Sequence, residues 1–160
     1  MTQAAHQSTA TAQLAPTTSG LLSPSPTEQQ STMLLRQARH LVQMQNPAEA
    51  YNIVEQSLRI APTNISALIL KAQLLGTAGR FDEALYGIEQ ALQLDPQNAL
   101  AWSVQAALLT NTGQYQQALQ AIERSLELEP NNPETYSIKT SIIGHMASFQ
   151  PKTDSKMLAA

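Results

Sequence analysis

His6, His40 and His145 are the side chains best suited by type to bind a metal or to exchange protons near neutral pH. A metal site asks for three or four ligands brought close, with histidines usually accompanied by carboxylates or thiolates. These three stand far apart along the chain, and no carboxylate accompanies them at ligand spacing. The acids Asp82, Glu83, Glu89, Glu123 and Glu127 are scattered along helical patterns. They read as solvated faces rather than as a general acid and its base. Cysteine is absent, which removes disulfides, thiolate nucleophiles and cysteine zinc sites. The glycines are isolated, so no phosphate-cradling loop is written here. The expectation is a protein that is not an enzyme, with no catalytic residue, no metal and no cofactor.

Charge and composition narrow the partners. A net charge of −3 and a pI of about 5.5 argue against a nucleic-acid surface, which would show clustered Lys and Arg. Aromatic residues make up 4% of the chain, and Trp102 and Tyr115 fall on repeated positions. A base-stacking platform is therefore not expected. The apolar runs are far shorter than the ~20 residues of a membrane helix, so no membrane partner is expected. Residues 1–26 contain no Lys or Arg and end in Ser23-Pro24-Ser25-Pro26. They lack the marks of a secretory signal or an Arg-rich transit peptide, and with no cysteine the expected location is cytoplasmic. Such a Thr/Ser/Gln-rich stretch buries too little apolar surface to offset its ordering entropy and reads as a disordered tail.

What must position any functional side chain is a pattern written twice and echoed before. Gly79-Arg80-Phe81-Asp82-Glu83-Ala84-Leu85 lines up with Gly113-Gln114-Tyr115-Gln116-Gln117-Ala118-Leu119. Ala91-Leu92-Gln93-Leu94-Asp95-Pro96 lines up with Ser125-Leu126-Glu127-Leu128-Glu129-Pro130, and Pro62 stands one step earlier. The offset is 34 residues throughout (79 to 113, 84 to 118, 96 to 130). Within each unit Leu68, Ala72 and Leu75, or Trp102, Ala106 and Leu109, recur at helical spacing. After the glycine, Ala84, Ile88 and Ala91, or Ala118, Ile122 and Ser125, do the same. Each unit is thus two amphipathic helices joined by a turn. Gly79 and Gly113 suit the left-handed position that ends a helix, and each proline stops the helix before it. Small residues at Ala72, Ala84, Ala106 and Ala118 permit close helix crossings at roughly 8–10 Å.

This pattern resembles the tetratricopeptide repeat, or TPR. Trp102 stands at that family's first aromatic position, Ala118 at its alanine and Pro130 at its closing proline. Gln105-Ala106 departs from the family's Leu-Gly, and Leu109 replaces its inner tyrosine. The resemblance implies an all-α, right-handed α-solenoid of about three repeats plus a C-terminal capping helix. The repeats are expected at about 31–64, 65–98 and 99–132, with the cap at 133–148, in a domain spanning 27–148. Residues 149–160 are expected to be a flexible tail.

The flanking units are more diverged. Thr27 or Ser31 is expected to cap the first helix, with Thr27-Glu28-Gln29-Gln30 as a capping box, and Leu34, Ala38 and Leu41 as its inner stripe. Asn46-Pro47-Ala48-Glu49 opens the partner helix, which carries Ala50, Val54 and Ser57 inward. Gln45 occupies the turn glycine's place. Glu55 and Arg59 are spaced for an exposed i,i+4 pair. In the cap, Tyr136, Thr140 and Ile143 continue the first-helix stripe.

With no chemistry to place, the remaining functional element is a surface. In such solenoids the first helices line the concave groove, so their outward faces are the expected contacts. Those faces carry Leu35, Arg36 and Arg39 in the first repeat, then Ser66, Ile69, Leu70 and Gln73. The third repeat contributes Leu100, Ser103, Val104, Ala107 and Asn111. TPR domains that bind chaperones hold a C-terminal carboxylate with groove cations, and of these only Arg39 is present here. The expected function is an adaptor or scaffold that holds a peptide or helix of another protein. The alternative is a self-assembling structural protein or accessory subunit, a homodimer through the cap. Its expected dimer face is Ile138, Ile142, Met146 and Phe149, a second stripe turned roughly 90° from the first.

Overall fold

In the computed structural model, residues 25–148 are described. They form seven helices, α1 (Pro26–Gln43), α2 (Pro47–Ile60), α3 (Ile65–Thr77), α4 (Phe81–Leu94), α5 (Ala99–Asn111), α6 (Tyr115–Leu128) and α7 (Pro133–Ser148). Local chemistry explains the boundaries. Asn46, Asn64 and Asn98 each accept a bond through Oδ1 from the backbone N–H three residues on, at 3.1–3.3 Å. Asn132 does the same for Glu134 and Thr135. Each satisfies donors that a helix start leaves open. The first helix of each pair ends in a left-handed residue, Gly79 at φ 76° and Gly113 at φ 77°. Gln45 takes the same conformation at φ 57° without the freedom of a glycine. α2, α4 and α6 end two residues before Pro62, Pro96 and Pro130, where a continuing helix would clash.

Helices pair as α1 with α2, α3 with α4 and α5 with α6, and the pairs stack with α7 on the last. Ala38, Ala50, Ala72, Ala84, Ala106 and Ala118 have no exposed surface, which is what lets paired helices cross closely. The buried apolar residues form three neighbouring clusters, one at each junction of the stack. Leu85, Trp102, Tyr51 and Leu58 each pack against two of them. The molecule is an all-α solenoid of helical repeats, as expected.

Two hydrogen bonds recur across the repeat. Ser57 Oγ donates to the Ser31 carbonyl at 3.0 Å, and Ser125 Oγ donates to the Ala99 carbonyl at 2.9 Å. Both tie the end of a second helix to the start of its first helix, 26 residues earlier.

Several local expectations are corrected. α1 is capped by Ser25, not by Thr27 or Ser31: Ser25 Oγ accepts from Glu28 N–H at 3.2 Å and Glu28 returns the bond to Ser25 N–H at 2.8 Å. Ser25 and Pro26 therefore belong to the helical domain rather than to the tail. Ser31 is fully buried and shares a 2.7 Å hydrogen bond with Ser57 Oγ. Leu35 rather than Leu34 is the buried leucine of α1. Glu55 turns to Lys71 on α3, at 2.6 Å, instead of to Arg59. That is a contact of charges rather than an aligned hydrogen bond, because Glu55 Oε1 lacks a donor in bonding geometry.

α7 carries the largest correction. Ile142 has no exposed surface, and Ile138 and Met146 pack with it against Leu109, Ala121 and Ile122 of the third repeat. The expected dimer face is thus the docked face. Tyr136 and Ile143, which continue the repeat's own inner stripe, are instead half exposed, at 51% and 50%. Residues 1–24 of the tail expected over 1–26, Phe149 and the rest of the expected tail 149–160 lie outside the described residues.

Candidate functional site

The first helices α3, α5 and α7 lie side by side, and a groove of about 770 Å³ runs across them. α3 contributes Leu70, Gln73, Leu74, Gly76 and Thr77. From α5 come Leu100, Ser103, Val104, Ala107, Leu108 and Asn111, and from α7 Glu134 and Ile138. The far end is closed by Val42, Gln45 and Pro47, at the corner between α1 and α2. The floor is tight. A Cβ on Gly76 would stand 2.6 Å from Leu108 Cδ2, so this glycine lets α3 and α5 approach.

Seven of the twelve residues expected here line the groove: Leu70, Gln73, Leu100, Ser103, Val104, Ala107 and Asn111. The other five do not. Ile69 is 3% exposed, packed in the core with Ala101, Val104 and Leu108, and Leu35 is buried against α2 and α3. Both sit where one first helix meets its neighbour. A helix in the middle of a stack has contacts on three sides, so the face opposite its own partner is only partly free. Ser66 and Arg39 are exposed but lie outside the groove, and Arg36 lines a separate depression with Gln30, Met33, Leu34, Gln37 and His40 on α1.

Sequence reasoning missed the corner residues Val42, Gln45 and Pro47. The signal was Gln45 at the place of a turn glycine, because that turn delivers its neighbours to the mouth of the groove. It also missed Leu74 and Leu108. These stand 34 apart at the edge of the face assigned to the core, and they form the groove floor while remaining under a tenth exposed.

The electrostatics of the groove are lopsided. Its one charged lining side chain is Glu134. Four cations are held by carboxylates elsewhere. Lys71 pairs with Glu55 at 2.6 Å, Arg124 with Glu127 at 2.7 Å and Lys139 with Glu123 at 3.3 Å. Arg80 makes a two-pronged contact to Glu83 at 2.6 and 2.7 Å. That hydrogen bonding raises the Arg80 pKa and lowers that of Glu83, so the pair is charged at neutral pH. Lys71 and Arg80 also approach the Tyr51 ring at 6.0 and 5.8 Å. Among the described residues no group of three His, Asp or Glu assembles that could hold a metal, and no helix is long and apolar enough to cross a membrane.

Solved structures share this architecture. The first TPR of Spaghetti (RPAP3) bound to the HSP90 peptide SRMEEVD matches with a TM-score of 0.70 at 22% identity. That match covers 75% of this chain and 95% of the other. The Sgt2 TPR domain from Aspergillus fumigatus matches at 0.72 and 23% identity, over 86% of this chain and 93% of its own. A Thermobaculum terrenum O-GlcNAc transferase mutant, K341M, gives 0.72 and 23% over 76% of this chain, but only 23% of the transferase. No curated sequence matches the chain. The tetratricopeptide repeat family model matches residues 41–108 and again 77–142, which together take in well over half the sequence. With its 34-residue period, its paired helices and that match, the chain belongs to the tetratricopeptide repeat family.

Proposed function

We propose that the chain is a non-enzymatic adaptor that holds a peptide or helical segment of another protein in the groove across α3, α5 and α7. The observation that carries this reading is the lining: Leu70, Leu100, Val104 and Ala107 interleaved with Gln73, Ser103 and Asn111. Apolar side chains supply burial, and neutral amides and hydroxyls can satisfy a peptide backbone. Leu100 is 49% exposed, so its side chain is open to a ligand. Structural neighbours with this fold bind peptides, among them SRMEEVD in Spaghetti and SGPTIEEVD in the second TPR domain of human RPAP3. Both peptides are acidic toward the C-terminus, whereas Glu134 is the charge lining this groove, which supports a different ligand here. A cysteine-free sequence suits work in the cytoplasm.

Affinity purification with the wild type and a Leu100→Lys variant tests the proposal. The exposed position should tolerate lysine without loss of the fold, and the variant places a charge in the groove lining. Partners recovered by the wild type should be lost from the variant. Identical partner lists from both would refute the reading.

A further inference from the structure

The groove's charge distribution says more than that something binds. We infer that its ligand is a segment of about six extended residues, a length set by the three first helices α3, α5 and α7 spaced at roughly 8–10 Å and ~3.3 Å per residue. The segment is apolar, free of acidic side chains, and carries a basic group at the end that rests on α7. This rests on the groove being the binding surface, as proposed above.

Three observations point the same way. First, Glu134 stands at the α7 end, while the opposite end is Val42, Gln45 and Pro47, which carry no charge. A basic group on the ligand therefore has a counter-charge at one end and none at the other, which orients it. Second, an acidic side chain entering beside Leu70 and Val104 would lose hydration with no cation to replace it. It would also face the Glu134 carboxylate at the α7 end of the groove. Third, no Lys or Arg lines the groove: Lys71, Arg80, Arg124 and Lys139 are paired with carboxylates outside it, and Arg36, Arg39 and Arg59 are not among its lining residues. Neutral groups remain for the ligand backbone. Asn111 uses Nδ2 on the Ala107 carbonyl, which leaves Oδ1 as an acceptor.

Selection of a random twelve-residue peptide library against the whole chain tests this, with Leu100→Lys as the groove control. The expected winners are apolar, poor in Asp and Glu, and carry Lys or Arg toward one end, and Leu100→Lys should not retain them. Acidic winners that Leu100→Lys also loses would overturn the charge inference and leave the groove reading standing. No enrichment, or winners kept by Leu100→Lys, would overturn the groove reading and the inference with it. A selected peptide labelled with fluorescein then probes Glu134. Replacing the peptide's Lys by Glu should weaken binding to the wild type about tenfold, the range for one charge contact in a partly desolvated site. Glu134→Lys should reverse that preference and Glu134→Gln should abolish it. Preferences unchanged by both variants, with helical content retained, would show that Glu134 does not read the ligand.

Discussion

α5 and α7 hold the same place in successive repeats, 34 residues apart, yet α7 buries only one of the two faces that α5 buries. In α5, Trp102, Ala106 and Leu109 pack against α6. In α7 the residues at those places, Tyr136, Thr140 and Ile143, are exposed, because no second helix of their own covers them among the described residues. What buries α7 is the other contact that every first helix makes, with the pair before it: Thr135 is 1% exposed and Ile142 not at all. The difference teaches that a helix in a stack has two apolar stripes by design. Which of them is core depends on which neighbours exist, and the helix's own pattern cannot say.

The sharpest way to break this comparison is to charge each stripe of α7 in turn. Ile142→Glu should cost at least about 3 kcal/mol, since removing a buried isoleucine costs about 2–5 kcal/mol and an unpaired buried carboxylate adds its desolvation. Ile143→Glu, one residue on, should stay within about 0.5 kcal/mol, as for surface changes generally. Urea unfolding followed by circular dichroism reads both. Equal losses would mean that α7 is held by the stripe that matches α5 after all.

The same contrast holds for volume. Ala106→Leu forces extra atoms into the crossing with Ala118 and should cost about 1–3 kcal/mol. Thr140→Leu, at the matching place in α7, meets no second helix and should be nearly neutral. If Thr140→Leu proved as costly, something in the chain would have to cover the exposed stripe.

Glycine should reverse the sign. Gly113 closes α5 at φ 77°, and Gly113→Ala should cost about 1–2 kcal/mol for a Cβ in the left-handed region. Gly144 lies inside α7 with open space where a Cβ would go. Gly144→Ala should therefore stabilise by about 0.5–1 kcal/mol through helix propensity. Thermal melts of the two variants should move in opposite directions, and a destabilising Gly144→Ala would mean that the exposed face of α7 is in fact packed.

What could be read from the sequence divides along the same line. The period, the turns at Gly79 and Gly113 and the inward Ala84, Ile88, Ala118 and Ile122 follow from chain-local rules, and all stand in the structure. Helical periodicity alone also separates Val104, which lines the groove, from Ala106, which does not. What failed depends on a second element. A helical wheel places Ile69 in the groove and Ile142 on a dimer face because each lies off the partner stripe. Both are buried by a neighbouring pair that a helical wheel does not contain. Residue type suggests Thr27 or Ser31 as the first cap, and what excludes Ser31 is its bond to Ser57 of α2, 26 residues away.

The smallest effect separates the two helices by how they are held. α5 contains no charged residue and is covered by apolar contacts on both sides. α7 adds to its one packed face the Lys139–Glu123 pair across to α6, 3.3 Å long and largely open to water on the Glu123 side. An exposed pair of this kind contributes roughly 0.2–1 kcal/mol and is weakened by salt. Lys139→Met should therefore speed hydrogen exchange of the α7 amides severalfold at low salt and make little difference at 1 M NaCl. The amides of α5 should be indifferent to both changes, because their protection requires opening the apolar stack. If α5 responded as strongly as α7, the last helix would open together with the third repeat rather than ahead of it. The capping helix would then be an integral part of that repeat's cooperative unit.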